Sequence, residues 1–162
     1  MKEIEEFFAQ YRQAWDLNSA AEIESFWDTE APGPFYKAEE VDGVFTDWND
    51  LRAYWKHNEG FNDSIELTFS DLRSQPVGTE RQLVAMRMRW EISFSADAKL
   101  MDGSAFAWAG QTMGGDNHVI ALLNESAGTW KLNAWIEAPN APINYIADLY
   151  LKNVRSGFAN RQ

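Results

Sequence analysis

Residues 84–94 read Val84-Ala85-Met86-Arg87-Met88-Arg89-Trp90-Glu91-Ile92-Ser93-Phe94, and their alternation decides the fold class. Val84, Met86, Met88, Trp90, Ile92 and Phe94 share one face, while Arg87, Arg89 and Glu91 share the other. Successive strand side chains point to opposite sides, so a period of two with one apolar face describes a strand half-buried in a sheet. Upstream, Ile65, Leu67 and Phe69 alternate with Glu66, Thr68 and Ser70, which predicts a second such strand continuing toward Arg73. Downstream, Asp97 to Gly103 is a polar connection, after which Ala105–Met113 and His118–Leu123 read as strand. Between those two runs stand Gly114-Gly115-Asp116-Asn117, a hairpin or a bulge. A bulge in one long bent strand is the reading preferred here, because glycines inside a strand pattern re-aim a sheet around a cavity. A last strand, Trp130–Glu137, follows a turn at Ala127-Gly128.

The first sixty residues carry a helical period instead. Ile4, Phe7, Phe8, Tyr11, Ala14 and Trp15 predict a helix from about 3 to 17 with one aromatic face, interrupted at Asn18. Ser19-Ala20-Ala21-Glu22 has the capping-box form and opens a short second helix with Ile23, Phe26 and Trp27 on its stripe. Ala31-Pro32-Gly33-Pro34 breaks it, and Phe35-Tyr36-Lys37 with Val44-Phe45 predict two short strands around Asp42-Gly43. Thr46 or Asp47 caps a third helix that buries Trp48, Leu51, Tyr54 and Trp55 and stops at Gly60. Beyond Pro139 and Pro142, Ile143, Ile146, Ala147, Tyr150, Leu151 and Val154 predict a C-terminal helix over about 142–156, ending near Gly157.

A chain of 162 residues makes one domain with a sizeable core, and no repeat, low-complexity tract or linker divides it. Its formal charge of −11, from 25 acidic and 14 basic residues, disfavours phosphate backbones and anionic membrane surfaces as partners. The absence of cysteine rules out disulfides, thiolate metal sites and cysteine nucleophiles. The acidic, helical start lacks the form of a signal peptide, and no stretch approaches the length of a membrane span, so cytoplasmic residence is the expectation. There is no phosphate loop, dinucleotide fingerprint, nucleophile elbow or paired-histidine helix, so no cofactor and no metal are expected.

In order and spacing the chain resembles the nuclear-transport-factor-2-like superfamily, which includes polyketide cyclases of the SnoaL type, ketosteroid isomerases, scytalone dehydratase and limonene epoxide hydrolase. The resemblance covers roughly residues 3–138. It rests on the helical pair FFAQYRQAW and AAEIESFW, the segment VDGVF, the third helix WNDLRAYW, and the closing pair NHVIALLNESAGTWKLNAWIE. It implies an α+β fold, a cone-shaped and strongly curved, mostly antiparallel sheet packed against three N-terminal helices, with the C-terminal helix as an addition. It also implies a pocket between sheet and helices, and a homodimer.

Individual residues are weighed against that expectation. Tyr11 stands where the ketosteroid isomerases carry an oxyanion-binding tyrosine, and a phenol there can donate to a developing enolate. Its place on the stripe between Phe7, Phe8 and Trp15 equally suits core packing. Asn117 stands near the second oxyanion donor of those enzymes, where an amide replaces an acid. Their base near the end of the first hairpin has no counterpart at Phe35, Tyr36 or Lys37, which disfavours steroid isomerase chemistry.

His118 opens an apolar strand, and an imidazole in a dry cavity can move protons near neutral pH; a solvent-facing strand histidine is the alternative. His57 reads as a surface residue, too far along the chain from His118 to suggest a metal site. Glu137 ends the last strand, where the polyketide cyclases often carry an acid/base aspartate. Desolvation beside Trp135 would raise its pKa, unless the side chain turns to water. The tryptophans exceed what a minimal core needs, and Trp55, Trp90 and Trp108, with Tyr36 and Asn117, are the candidate pocket wall for a small apolar or aromatic molecule. Ala105, Ala107, Ala109 and Trp135 are candidates for a convex, dimer-forming face.

Three functions fit. One is a cofactor-free cyclase, isomerase or dehydratase with His118 and Glu137 as acid and base and Tyr11 or Tyr36 orienting the substrate. Another is a ligand-binding module without turnover. The third is a non-catalytic assembly subunit, since the small subunits of aromatic-ring dioxygenases resemble this fold. A polar pair converging in an open cavity favours the first, purely aromatic walls the second, and a filled cavity with a large apolar sheet face the third.

Overall fold

The structure is a computed structural model that describes residues 2–141 and Ala147. The helix expected over about 142–156 lies, apart from Ala147, outside the described residues. Among the described residues eight elements follow in order: α1 Lys2–Asp16, α2 Ala20–Ser25, β1 Phe35–Lys37, α3 Trp48–Phe61, β2 Asn62–Pro76, β3 Arg81–Phe94, β4 Thr112–Ser126 and β5 Thr129–Pro139. The strands form one sheet in the order β1-β5-β4-β3-β2, with β1 parallel to β5 and every other pair antiparallel. This is an α+β architecture with helices on one face of an open sheet, as the sequence predicts.

The helical stripes bury as their spacing requires. Ile4, Phe7, Phe8, Tyr11, Ala14 and Trp15 of α1 are all buried. Asn18, at φ 49°, turns the chain out of α1, and its Nδ2 donates to the Asn62 carbonyl at 2.8 Å. Ser19 caps α2 by accepting from the Glu22 amide, and α3 satisfies the next free amide of this helix end. Glu59 Oε1 accepts from the Ala20 amide at 2.7 Å. Asp47 caps α3, accepting from the Asn49 and Asp50 amides at 2.8 and 3.2 Å. Gly60 does not stop this helix; α3 continues to Phe61 and passes straight into β2 at Asn62.

The inner sheet face presents Ile65, Leu67, Val84, Met86, Met88, Val119, Ala121, Leu123, Leu132 and Trp135 to the helices. Removing each larger one of these side chains from water stabilises the fold by about 1.5–3 kcal/mol. The bends in the sheet lie away from the expected bulge. Register shifts fall in β2 between Asn62 and Ser64 and between Ser70 and Arg73, where Asp71 has φ 53°, and in β4 between Leu122 and Leu123. Across Gly114 and Gly115, β4 pairs with β3 without a break, from Ser93↔Thr112 to Arg81↔Asn124. These glycines are there for close approach instead. A Cβ on Gly114 would lie 2.8 Å from the Trp90 carbonyl oxygen, and one on Gly115 3.0 Å from the Trp90 ring.

Two further expectations are corrected. Residues 105–111 form turns, and only Ala105 makes a bridge, to Lys99, before β4 begins at Thr112. Phe106 of this connection packs on Phe61 and Phe94, each at 4.8 Å between ring centroids. Secondly, Phe35–Lys37 meets Val44-Phe45 in a single bridge, Tyr36↔Phe45, and takes its main pairing from β5.

Candidate functional site

Strand β5 carries the site's central group. Trp135 and Glu137 are two residues apart and so share the inner face, while Ile136 between them points out and is exposed. Trp135 Nε1 donates to Glu137 Oε1 at 2.6 Å. From β4, Asn117 Nδ2 donates to Glu137 Oε2 at 3.1 Å, and the Glu39 backbone amide, just past β1, reaches the same oxygen at 3.4 Å. Burial pushes the Glu137 pKa up to about 7 against the bond from Trp135, with the charges of Glu40 and Glu39 adding to the rise. Glu39 is raised too, mainly by its own burial and then by Glu40, while the Asn117 amide offsets part of this. The hydroxyl of Tyr54, on α3, donates to Glu40 Oε1. Burial holds the Tyr36 and Tyr54 phenols well above their ordinary pKa, so both remain neutral donors at neutral pH.

These groups border a cavity of about 390 Å³ between the sheet and the helices. Trp15 of α1, Tyr54, Asn58 and Phe61 of α3, and Tyr36 of β1 wall one side. Asn62, Ile65 and Leu67 of β2, Met88, Trp90, Ile92 and Phe94 of β3, and Trp135 form the sheet side. Leu100, Phe106 and Trp108 from the β3–β4 connection reach over it, with Trp108 itself 52% exposed. An apolar enclosure around one carboxyl that titrates near neutrality is suited to moving protons.

The residues singled out from the sequence are distributed unevenly. Tyr36, Trp90 and Trp108 line the cavity, and Asn117 holds Glu137 from behind it. Trp55 does not; it is buried to 1% exposure against Trp27 and Tyr36. Tyr11 is fully buried and packs on Phe26 and Trp135, with centroids at 5.5 Å in both cases, so it is a core residue away from the cavity wall. Its hydroxyl lies near the indoles of Trp15 and Trp27 without completing a hydrogen bond to either.

His118 and Glu137 do not meet. With β4 unbroken through Gly114-Gly115, Asn117, Val119 and Ala121 point inward and His118 points out, exposed, beside Arg87 and Ala138. Trp135, expected on the convex face, is inside. Ala105, Ala107 and Ala109 belong to the turns before β4 and make no sheet surface.

Glu39, Glu40, Tyr54 and Asn62 stand at the site although the sequence does not single them out for it. The available signal was an acidic pair, Glu39-Glu40, one residue beyond a short strand centred on the buried Tyr36.

No protein-family model matches the sequence, and no curated protein matches it significantly. Solved structures are similar in three dimensions. A nuclear-transport-factor-2-like superfamily protein from Salmonella enterica aligns with TM-score 0.68 and 12% identity, covering 87% of this chain and 91% of that one. A candidate scytalone dehydratase from Novosphingobium aromaticivorans gives 0.69 and 11%, over 87% and 84% of the two chains. A hexachlorocyclohexane dehydrochlorinase from Novosphingobium barchaimii gives 0.63 and 11%, over 86% of each. Helix order, sheet order and these alignments agree: the chain has the nuclear-transport-factor-2-like fold.

Proposed function

We propose that the protein is an acid–base enzyme of the cyclase, isomerase or dehydratase kind, acting on a small apolar molecule with Glu137 as the proton-transfer group. The observation that carries this reading is the Glu137 carboxyl, with a pKa of about 7, bordering an aromatic cavity. Near that pH both its forms are populated, so one carboxylate takes a proton from a substrate carbon or hydroxyl and the acid returns it elsewhere on the molecule. Tyr36 supplies a neutral O–H group on the facing wall, able to orient a substrate oxygen, while the Tyr54 hydroxyl is already given to Glu40. Dehydratases and a dehydrochlorinase of this fold favour the same class of proton abstraction, by analogy of fold alone. His118 has no part in this reading because it faces away from the cavity.

The test pairs a carbon NMR titration of the Glu137 carboxyl with the ring opening of a nitrobenzisoxazole, a general reporter for a desolvated base. A titration near pH 7 and a loss of about 100-fold in ring opening in Glu137→Gln are expected. An ordinary carboxylate titration, or equal rates in both proteins, sinks the reading.

We further propose a homodimer through the outer sheet face. Ile120 pairs laterally with Ala85 and Ile136, and Leu122 with Leu83 and Ala134, which puts two rows of apolar side chains on that face. Ile120, Ile136 and Leu83 are 42%, 37% and 38% exposed. Sedimentation of the wild type as a dimer and of Ile120→Asp as a folded monomer is expected; a monomeric wild type rejects the proposal.

A further inference from the structure

The charged groups that the described residues bring to the cavity all have one sign. Glu39, Glu40 and Glu137 line it, and among the described residues none that lines it is Lys, Arg or His. Among the described residues, no ion pair joins any of the three to a basic side chain. They are held by neutral donors instead: the Trp135 indole, the Asn117 amide, the Tyr54 hydroxyl and the Glu39 backbone.

Two independent features point the same way. Asn62 is 6% exposed and lines the cavity, and its Oδ1 is a buried acceptor without a partner among the described residues, the complement of an N–H donor. The wall also presents the rings of Trp15, Trp90, Trp108 and Tyr54, whose negative faces attract a cation, most strongly where water is excluded.

We propose that the molecule taken by this cavity is a hydrophobic amine in its protonated form, its N–H⁺ head set against Glu137, Glu39 and Glu40 and its apolar body against Trp90 and Trp108. The proposal names the substrate class of the acid–base site and rests on that reading. A metal ion is the weaker candidate for the missing positive charge. Among the described residues, no group of three or more His, Cys, Asp or Glu side chains has the geometry to hold one.

Binding of a cation favours ionised carboxylates, so affinity for the amine rises with pH through about 7. Among the described residues, no facing group reverses that sign. Tyr11 of α1, Tyr36 of β1, Tyr54 and Asn58 of α3, Asn117 of β4 and Trp135 of β5 are neutral there, and Glu39 and Glu40 are acidic.

The test uses three phenyl compounds of one shape and different charge: N,N-dimethylbenzylamine, isobutylbenzene and phenylacetate, titrated into the full chain by calorimetry slightly above neutral pH. The amine is expected to bind at least about tenfold more tightly than the hydrocarbon, and phenylacetate not to bind. Glu137→Gln, Glu39→Gln and Glu40→Gln each weaken the amine by about fivefold and leave the hydrocarbon unchanged. Glu66→Gln, the same charge change on the exposed outer face, weakens neither. If Glu137→Gln does not fold, the other two cavity variants carry the comparison.

An amine bound no more tightly than the hydrocarbon, including no binding of either, overturns the proposal. So does tighter binding of phenylacetate, or an equal loss in Glu66→Gln. The acid–base reading is judged separately by the Glu137 titration and benzisoxazole ring opening, so a preference for the neutral compound beside a carboxyl titrating near 7 rejects the amine alone.

Discussion

Trp135 and Glu137 lie two residues apart on β5, and the indole nitrogen of the first donates to the carboxylate of the second at 2.6 Å. The bond favours the ionised form and so works against the burial that raises this carboxyl to about 7. Trp135→Phe removes the donor and keeps a ring. The Glu137 pKa is expected to rise by roughly one unit, since a hydrogen bond to a charged group contributes about 1.5 kcal/mol. A carbon NMR titration of the variant reads the shift, and a pKa that falls contradicts the role assigned to the indole.

Glu40 acts on the same carboxyl with the opposite sign. Its charge adds to the rise at Glu137, so Glu40→Gln lowers the Glu137 pKa below about 7. Glu40 is itself exposed, which screens the interaction, and the shift is expected to weaken further in high salt. Repeating the titration at low and at molar salt checks both points.

The buried carboxyl also makes stability depend on pH. An acid whose pKa rises from 4.5 in the unfolded chain to about 7 in the folded one binds its proton more tightly when folded. Its contribution is therefore fully present below pH 4.5 and is lost as pH rises toward 7. The difference in unfolding free energy between wild type and Glu137→Gln is expected to change by up to about 3 kcal/mol across that window, the wild type losing ground at the alkaline end. Urea unfolding of both proteins at the two ends of the window measures it.

Sheet and helices were legible because each buries one face, and that face repeats in the sequence at 3.6 or 2 residues. The stripe from Ile4 to Trp15 and the alternation from Val84 to Phe94 carry that signal directly. What periodicity could not carry was parity through Gly114-Gly115. Glycine has no side chain to mark a face, and a single inserted residue would exchange the environments of Asn117 and His118. Glu39 and Glu40 escaped for a different reason. They follow a three-residue strand, too short to show a period, and they enter the site through the parallel pairing of β1 with β5, a contact across about a hundred residues of chain.

Gly114 and Gly115 are close-approach positions, and substitution separates two kinds of neighbour. A methyl at Gly115 meets the Trp90 ring at 3.0–3.1 Å, and the ring can swing into the cavity to accommodate it. At Gly114 it meets the Trp90 backbone oxygen at 2.8 Å, which moves only with the strand. Gly114→Ala is expected to destabilise more than Gly115→Ala, within the range of about 1–3 kcal/mol typical of overpacking. Gly115→Ala alone changes the tryptophan fluorescence markedly while the protein stays folded. Thermal melts and emission spectra of the two variants distinguish them.

Asn117 and His118 are neighbours in sequence on opposite faces of β4, which turns the corrected assignment into a direct comparison. Asn117 is 1% exposed and its amide lies between the carboxylates of Glu137 and Glu39, donating to the first at 3.1 Å and lowering the pKa of the second. Asn117→Ala leaves both carboxyls short of a donor inside the fold. The Glu39 and Glu137 titrations are expected to move upward, with stability falling by about 1–3 kcal/mol. His118→Ala removes an exposed side chain beside Arg87, so stability is expected to change by less than about 0.5 kcal/mol and benzisoxazole ring opening by less than about twofold. Measuring both variants in the titration and the ring-opening assay decides the matter. A large loss of ring opening in His118→Ala with Asn117→Ala unaffected would mean that β4 presents the other face to the cavity, and the whole assignment around Glu137 would have to be redrawn.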